Sequence, residues 1–200
     1  MLHPMNLPRS PFLMSPGDTA LWVVDVQTKL LPLVQDHARV VWNIGRLLEA
    51  ACGLGVHVAA TEQYPQALGS TVDELQGQIE GALAKIAFSC AEVEPLVADL
   101  EARALPKLLL VGLETHICVQ QTALDMLSRG YDVYLAADAM SARSRFDHRI
   151  ALNRMAAAGG VITTTEAILF EWCQIATGSA FEHIRPLVQQ KPPEGGEVAE

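Results

Sequence analysis

The chain lacks the features of a membrane-spanning, secreted or nucleic-acid-binding protein. None of its apolar runs approaches the roughly 20 residues that a helix needs to span a bilayer. Its first twenty residues contain four prolines and no apolar core of a signal peptide. Basic residues are scarce, with 14 Lys and Arg against 23 Asp and Glu and a formal net charge of −9, whereas phosphate binding requires a basic surface. We therefore expect no membrane or nucleic-acid partner and a cytoplasmic location.

Cysteine is sparse and unclustered. The four cysteines are Cys52, Cys90, Cys118 and Cys173, and none belongs to a C-x-x-C motif. Without a secretory signal they are predicted to be free thiols in a reducing compartment, and neither a zinc motif nor a dithiol motif is expected. Cys52 and Cys173 lie in helical apolar stripes and are predicted to be core residues.

The length and composition indicate one globular domain. Half of the 200 residues are hydrophobic and 18% are charged, which suits a single sizeable core. No internal repeat or linker divides the chain. The domain is predicted over residues 18–190, after an N-terminal extension at 1–17 and before a disordered polar tail, "KPPEGGEVAE", at 191–200.

Short apolar runs alternate with amphipathic ones along the chain. Strands are predicted at 20–26, 56–61, 84–89, 107–113, 131–139 and 161–165. Helices are predicted at 38–55, 72–83, 91–103, 116–130, 147–160 and 166–175. This alternation predicts an α/β fold, a three-layer αβα structure around a six-stranded, mostly parallel, Rossmann-like sheet.

In such folds ligands bind at the carboxyl ends of the strands, where the strand order reverses. Asp25, Lys85 and Cys118 each lie at or near a predicted strand end. Cys118 falls in the first turn of a helix, where free N–H groups and the helix dipole stabilise a thiolate. Ordinary alternatives remain for each residue: a turn aspartate, a lysine that reaches solvent, and a cysteine that only packs. Asp138, at the predicted end of strand five, could pair with Arg143, which lies beyond that strand.

Several segments together resemble the isochorismatase-like cysteine hydrolases. They are "ALWVVDVQ" at 20–27, the lysine at 85, "VGLETHICVQQTALDML" at 111–127, "DAMSARS" at 138–144 and "TTTEAILFEW" at 163–172. The similarity covers roughly residues 18–175. "TEQYPQALGSTVDEL" and "LAKIAFSC" are most similar to the isochorismatase domain-containing subgroup. Aspartate, lysine and cysteine in this order, each at a strand end, are together a specific signal of the family, although each residue alone is a weak signal.

The resemblance implies a catalytic triad of Asp25, Lys85 and Cys118. It also implies a cis peptide between Leu113 and Glu114, which would turn the Glu114 N–H toward the Cys118 N–H to form an oxyanion hole. The implied activity is hydrolysis of a small amide, imide or carbamoyl C–N bond through a Cys118 thioester, without a cofactor. A homo-oligomer, a dimer or larger, is expected by the same analogy, with apolar segments near 167–172 and 181–184 either at an interface or in the core.

One departure bears on metal binding. The nicotinamidase branch of the family carries an Asp-x-His motif and a further histidine after the second strand, whereas this chain has Glu62 and Tyr64 there. We therefore predict no metal site. Gln27, Gln63 and Tyr64 are predicted substrate contacts from their place in the topology.

Two other functions stay open from the sequence. One is hydrolysis of an isochorismate-like enol ether, which does not require a nucleophilic cysteine. The other is a non-catalytic binding or assembly subunit that retains the fold. A reactive Cys118 predicts that thiol reagents label it at neutral pH before Cys52 or Cys173.

Overall fold

Six strands and eight helices alternate along residues 9–193, the part of the protein that the computed structural model describes. The predictions for residues 1–8 and 194–200 lie outside it. The strands are β1 Thr19–Val24, β2 His57–Gln63, β3 Leu83–Lys85, β4 Lys107–Leu113, β5 Asp132–Ser141 and β6 Val161–Thr163. The helices are α1 His37–Leu54, α2 Pro65–Leu68, α3 Asp73–Gln76, α4 Glu94–Ala102, α5 Gln120–Ser128, α6 Arg145–Ala157, α7 Thr165–Cys173 and α8 Gly178–Val188.

The strands form one parallel sheet in the order β3-β2-β1-β4-β5-β6. The predicted α/β fold with a six-stranded sheet is confirmed. The chain winds from β1 outward through β2 to β3 and then returns to place β4 on the other side of β1. This reversal makes the β1–β4 boundary the switch point, and in such folds ligands bind beyond the carboxyl ends of the strands near this point.

Side chains on the two faces of the sheet belong to two separate apolar clusters, as the alternation along a buried strand requires. Leu21 and Val23 of β1 pack on one face, beneath α1, α7 and α8. Ala20, Trp22 and Val24 pack on the other, beneath α4, α5 and α6. The sheet is therefore covered on both sides, and its strands are apolar nearly throughout, which is typical of parallel sheets.

β4 approaches β1 closely at Gly112, which directly precedes the Leu113–Glu114 peptide that was predicted to be cis. Gly112 has φ of +115°, and a Cβ at this position would collide with the carbonyl oxygen of Val24. Only glycine meets both conditions without cost. The close approach places the exit of β4 directly beside the end of β1.

The largest differences from the predicted elements lie at 72–83 and at the C-terminal end. The predicted helix over 72–83 is reduced to the single turn α3, because Gly77 and Gly81 interrupt it and Leu83 enters β3. α8 was not predicted, although it packs against α1 and α7; an internal proline, Pro186, weakens its helical signal. Among the described residues no helix combines the length and apolar character needed to cross a bilayer.

Two sequence predictions about apolar positions need adjustment. Cys52 is exposed, so its assignment to the core is wrong, whereas Cys173 is buried as predicted. α1 turns its core face toward the sheet, and Cys52 lies outside that face. The segments proposed as interface or core belong mainly to the core, since Ile168, Leu169 and Ile184 are fully buried.

Candidate active site

Asp25 is the first residue after β1 and is fully buried. Its backbone takes the left-handed conformation, with φ of +53°, which aspartate tolerates better than most residues. The chain thus turns sharply out of the sheet, and the Asp25 N–H donates to the carbonyl oxygen of Thr61 on β2 at 3.1 Å. The Thr61 hydroxyl donates to Asp25 Oδ1 at 2.8 Å. Backbone and side chain therefore hold the carboxylate in one orientation.

Lys85 ends β3, two strands away from Asp25, and reaches across the edge of the sheet. Its Nζ lies 2.7 Å from Asp25 Oδ2 and 2.6 Å from Gln63 Oε1. It also contacts two backbone oxygens, of Phe88 at 3.0 Å and of Ala87 at 3.3 Å. An ammonium group has three protons, so these four acceptors use its hydrogen-bonding capacity fully. Burial alone would lower the pKa of Lys85, but the Asp25 charge and hydrogen bond, together with the neighbouring Cys90 and Cys118, outweigh burial and raise that pKa, so the lysine is a cation.

Cys118 follows β4 in a widened π-helical turn, Thr115–Val119, which continues into α5. The N–H groups of its two neighbours, Ile117 and Val119, donate to the Glu114 carbonyl oxygen at 3.0 and 3.3 Å. The Cys118 side chain points inward, with only 5% of the residue exposed. Its thiol lies 3.9 Å from Gln63 Oε1.

The ionisation of Cys118 differs from the sequence expectation. Burial and the negative charge of Asp25 raise the pKa of the thiol, and the Lys85 cation offsets only part of this. The pKa is raised on balance, so the resting group is a neutral thiol. The prediction that thiol reagents label Cys118 before Cys52 is not supported by accessibility, because Cys52 is exposed and Cys118 is buried.

A second buried thiol, Cys90, lies next to the cluster. Its sulfur is 3.5 Å from the hydroxyl of Thr61, which is itself bonded to Asp25. The backbone N–H of Cys90 donates to the hydroxyl of Thr122, which donates in turn to the Cys118 carbonyl oxygen. Burial raises the pKa of Cys90 to about 11 from an ordinary value of 9.0.

These two thiols predict a loss of stability at alkaline pH. Because the unfolded chain releases the Cys90 and Cys118 protons at lower pH than the folded chain, the unfolding free energy is expected to fall as the pH rises above the ordinary thiol value of 9.0. Urea denaturation at about pH 8 and about pH 10 measures the fall, and the fall should be smaller in Cys90→Ala than in the wild type. Equal falls in both proteins would contradict the assignment to Cys90.

Hydrogen bonds between Gln27 and Gln63 connect the loop after β1 to the end of β2. The Gln27 amide accepts from the Gln63 N–H at 2.8 Å and donates to the carbonyl oxygens of Gln63 and Gly69 at 3.0 and 2.6 Å. The Gln63 side chain donates to the Ile86 carbonyl oxygen at 2.7 Å, which turns its own oxygen toward Lys85 and Cys118. The amide of the fully buried Gln27 thus bonds to backbone groups, and its contact with substrate stays a prediction.

The peptide bond between Leu113 and Glu114 is cis. The Glu114 side chain is buried and pairs with Arg143, whose Nε lies 2.9 Å from Glu114 Oε1. Asp138 instead accepts from the N–H and hydroxyl of Thr165 at 2.8 and 3.0 Å. The possible Asp138–Arg143 pair is therefore replaced by two separate contacts.

A cavity of about 580 Å³ opens beside the cluster. Gln63 and Tyr64, both predicted substrate contacts, line it, and Tyr64 is half-exposed. Its other lining residues, which the sequence reasoning missed, are Ala67, Leu68, Ile86 and Phe88. Ile86 and Phe88 follow β3 in an irregular segment without periodicity, and only their proximity to Lys85 could have indicated them.

Glu62, which lies where the nicotinamidase branch carries a metal-binding residue, makes other contacts in this protein. The Glu62 carboxylate accepts from the N–H and the hydroxyl of Thr71 at 2.7 and 2.9 Å. Within residues 9–193, no three His, Cys, Asp or Glu side chains are grouped so as to hold a metal ion.

The parallel sheet, its switch point and the buried thiol, carboxylate and amine beyond it define a Rossmann-like α/β protein with an enzyme-type site. Residues 19–167 match the family model described as the isochorismatase domain. The chain belongs to the isochorismatase-like hydrolase family.

Individual relatives agree with this assignment. Isochorismatase domain-containing protein 1 of Danio rerio is 35% identical over 188 residues, which is 92% of this chain but only 65% of that protein's length. The structure of MAR1 ribonuclease from Caenorhabditis elegans is 31% identical, with a TM-score of 0.87 over 94% of this chain and 98% of that one. An octameric hydrolase of unknown specificity from Escherichia coli is 25% identical, with a TM-score of 0.74 over 82% and 83% of the two chains.

Proposed function

We propose that this protein is a metal-independent, cysteine-dependent hydrolase of a small amide, imide or carbamoyl C–N bond. The observation that carries the proposal is the fully buried Lys85–Asp25 ion pair, whose carboxylate lies near enough to the buried Cys118 thiol to raise the pKa of that thiol. Burying two charges is costly and adds little to stability compared with apolar packing. A site that retains them beside a thiol is therefore better explained by chemistry than by structure.

The ionisation of the thiol assigns the roles in the first half-reaction. Cys118 is neutral at rest, so attack on a carbonyl carbon requires a base, and Asp25 is the carboxylate beside it. Asp25 takes the thiol proton as sulfur bonds to the carbonyl carbon. It then gives this proton to the departing nitrogen as the C–N bond breaks, which leaves a thioester on Cys118 and releases ammonia or an amine.

The second half-reaction reverses the proton transfers. Asp25 takes a proton from water as the water oxygen attacks the thioester, and the proton returns to sulfur when the C–S bond breaks. Lys85 neither gives nor takes a proton in this scheme. It pairs with the Asp25 carboxylate and fixes its direction through the 2.7 Å contact.

Two backbone N–H groups are proposed to stabilise the oxyanion. The N–H groups of Ile117 and Val119 are bonded to the Glu114 carbonyl oxygen, which holds the Cys118 amide between them at the helix start. The Cys118 N–H and the Glu114 N–H would together bind the negative oxygen of the tetrahedral intermediate. The buried Glu114–Arg143 pair fixes the side chain on this segment.

The proposal is tested by mass spectrometry of the acyl-enzyme. p-Nitrophenyl acetate carries the smallest activated acyl group, and we expect it to acetylate Cys118 with release of nitrophenol. The exposed Cys52 is first replaced by serine so that surface acetylation does not interfere. In this background, Cys118→Ala should lose both the adduct and the release of ammonia from a panel of amides. A variant that still hydrolyses its substrate would instead favour the enol-ether route, and absence of any adduct or turnover would favour the non-catalytic subunit.

An RNA substrate is not part of this proposal, although the nematode relative is a ribonuclease. RNA binding depends on cationic side chains that contact phosphates, whereas this chain carries a net charge of −9. Self-association remains part of the proposal and is supported by the octameric description of the Escherichia coli relative. The cytoplasmic location likewise stays a prediction.

A further inference from the structure

The cavity beside Cys118 is continuous with the catalytic cluster through shared residues. It is lined by Gln63, Tyr64, Ala67, Leu68, Ile86 and Phe88. The Gln63 side-chain oxygen accepts from Lys85 and Cys118, and the Phe88 backbone oxygen also accepts from Lys85. A carbonyl group placed at the thiol would therefore extend its acyl substituent into this cavity, whose volume of about 580 Å³ suits a small molecule.

The lining is apolar apart from Gln63 and the Tyr64 hydroxyl. Tyr64, Ile86 and Phe88 are 50%, 71% and 51% exposed, so a ligand that covered them would remove a large apolar area from water. Such burial is favourable in proportion to the area. A hydrocarbon or aromatic acyl group makes this contact, and a strongly hydrated group does not.

The charges around the cavity disfavour an anionic substrate. No Lys, Arg or His side chain of the described residues lines it. The nearby Lys85 ammonium has all its protons committed to Asp25, Gln63 and backbone oxygens. Lys29 contacts the Ala67 carbonyl oxygen at 2.9 Å, but its side chain is exposed and its charge is therefore screened by water. A substrate carboxylate would lose hydration without gaining a buried partner.

We infer that the site is selective for neutral carboxamides with an apolar acyl group and rejects analogues that carry a second, ionised carboxylate. This inference rests on the proposed cysteine-dependent hydrolysis and names its substrate class. It also separates the protein from an enzyme acting on a dicarboxylate such as isochorismate.

The test compares two amides of equal chain length. Hexanamide and the monoamide of adipic acid differ only in whether the far end is a methyl group or a carboxylate. We expect kcat/KM for hexanamide, measured as ammonia release, to exceed that for the charged analogue by at least about tenfold. Equal values, or a preference for the charged amide, would overturn the inference.

A charge introduced into the lining tests the same point from the protein side. Ile86→Lys places an ammonium group at the cavity, and we expect it to shift the ratio toward the charged amide by about tenfold or more. The matched control is Ile175→Lys, because Ile175 is similarly exposed, at 64%, and is not among the lining residues. The control should leave the ratio unchanged. An equal shift in both variants would mean that general surface charge, and not the cavity, sets the preference.

Acetylation of Cys118 by p-nitrophenyl acetate separates this inference from the function on which it rests, because an acetyl group barely enters the cavity. If Cys118 is acetylated but hexanamide is not preferred, the substrate class is wrong and the hydrolase proposal stands. If Cys118 is not acetylated and no amide is cleaved, the proposed function fails and the inference fails with it.

Discussion

Replacing Asp25 with asparagine is expected to lower kcat/KM for amide hydrolysis by on the order of 10³-fold or more. The Cys118 thiol is neutral because burial and the Asp25 charge raise its pKa, so sulfur cannot attack until a base removes its proton. Asparagine has nearly the same size and also tolerates a positive φ. Its side-chain oxygen can still accept from the Thr61 hydroxyl that now bonds to Asp25. The substitution removes the base and keeps the size of the side chain, but it also leaves the buried Lys85 cation without its anionic partner.

The matched control is Asp138→Asn, the same chemical change within β5. Asp138 accepts from the Thr165 N–H and hydroxyl and has no contact with the cluster in the hydrogen-bond network of the described residues. We expect its kcat/KM to stay within about threefold of the wild type. Steady-state ammonia release gives both values, and thermal unfolding verifies that each variant is folded. An Asp25→Asn protein that keeps its activity would show that another group removes the thiol proton.

The arrangement of the fold could be predicted because it depends on patterns that persist along the chain. Apolar runs of strand length alternate with helical stripes, and a parallel sheet brings the carboxyl ends of its strands to one edge. Asp25, Lys85 and Cys118 could therefore be placed near one another from the sequence. The partner of Asp25 on β2, Thr61, follows from the same topology, because it is paired with Val24 in the sheet register.

The properties that depend on local packing were not predictable. A helix start favours a thiolate at Cys118, but the opposing effect of a carboxylate and of burial appears only once the side chains have been placed. Cys52 lies in an apolar stripe yet on the outer side of α1. The cavity lining comes from the irregular segment after β3, where neither helical nor strand periodicity indicates which side chain faces the site.

The ion pair itself predicts the largest effect on stability. Lys85→Met leaves the Asp25 carboxylate fully buried without its cation, and we expect the unfolding free energy to fall by about 3–5 kcal/mol. Arg103→Met is the matched control, because Arg103 pairs with Asp99 at 2.9 Å while both side chains are at least 40% exposed. An exposed pair of this kind contributes about 0–1 kcal/mol. Urea denaturation of each variant measures these differences.

The double variant Asp25→Asn with Lys85→Met distinguishes the loss of an ion pair from the loss of a packed lysine. Once the carboxylate is neutral, it no longer needs the cation, so the double variant should be more stable than Lys85→Met alone, and the two effects should differ from additivity by more than about 1 kcal/mol. This comparison remains informative even if Lys85→Met does not fold, because a folded double variant would then identify the uncompensated charge as the cause. Additive effects, or a Lys85→Met variant as stable as the Arg103→Met control, would show that the pair carries no such coupling. Lys85 and Asp25 would then not depend on each other, and the proposal that Lys85 orients Asp25 toward the thiol would lose its support.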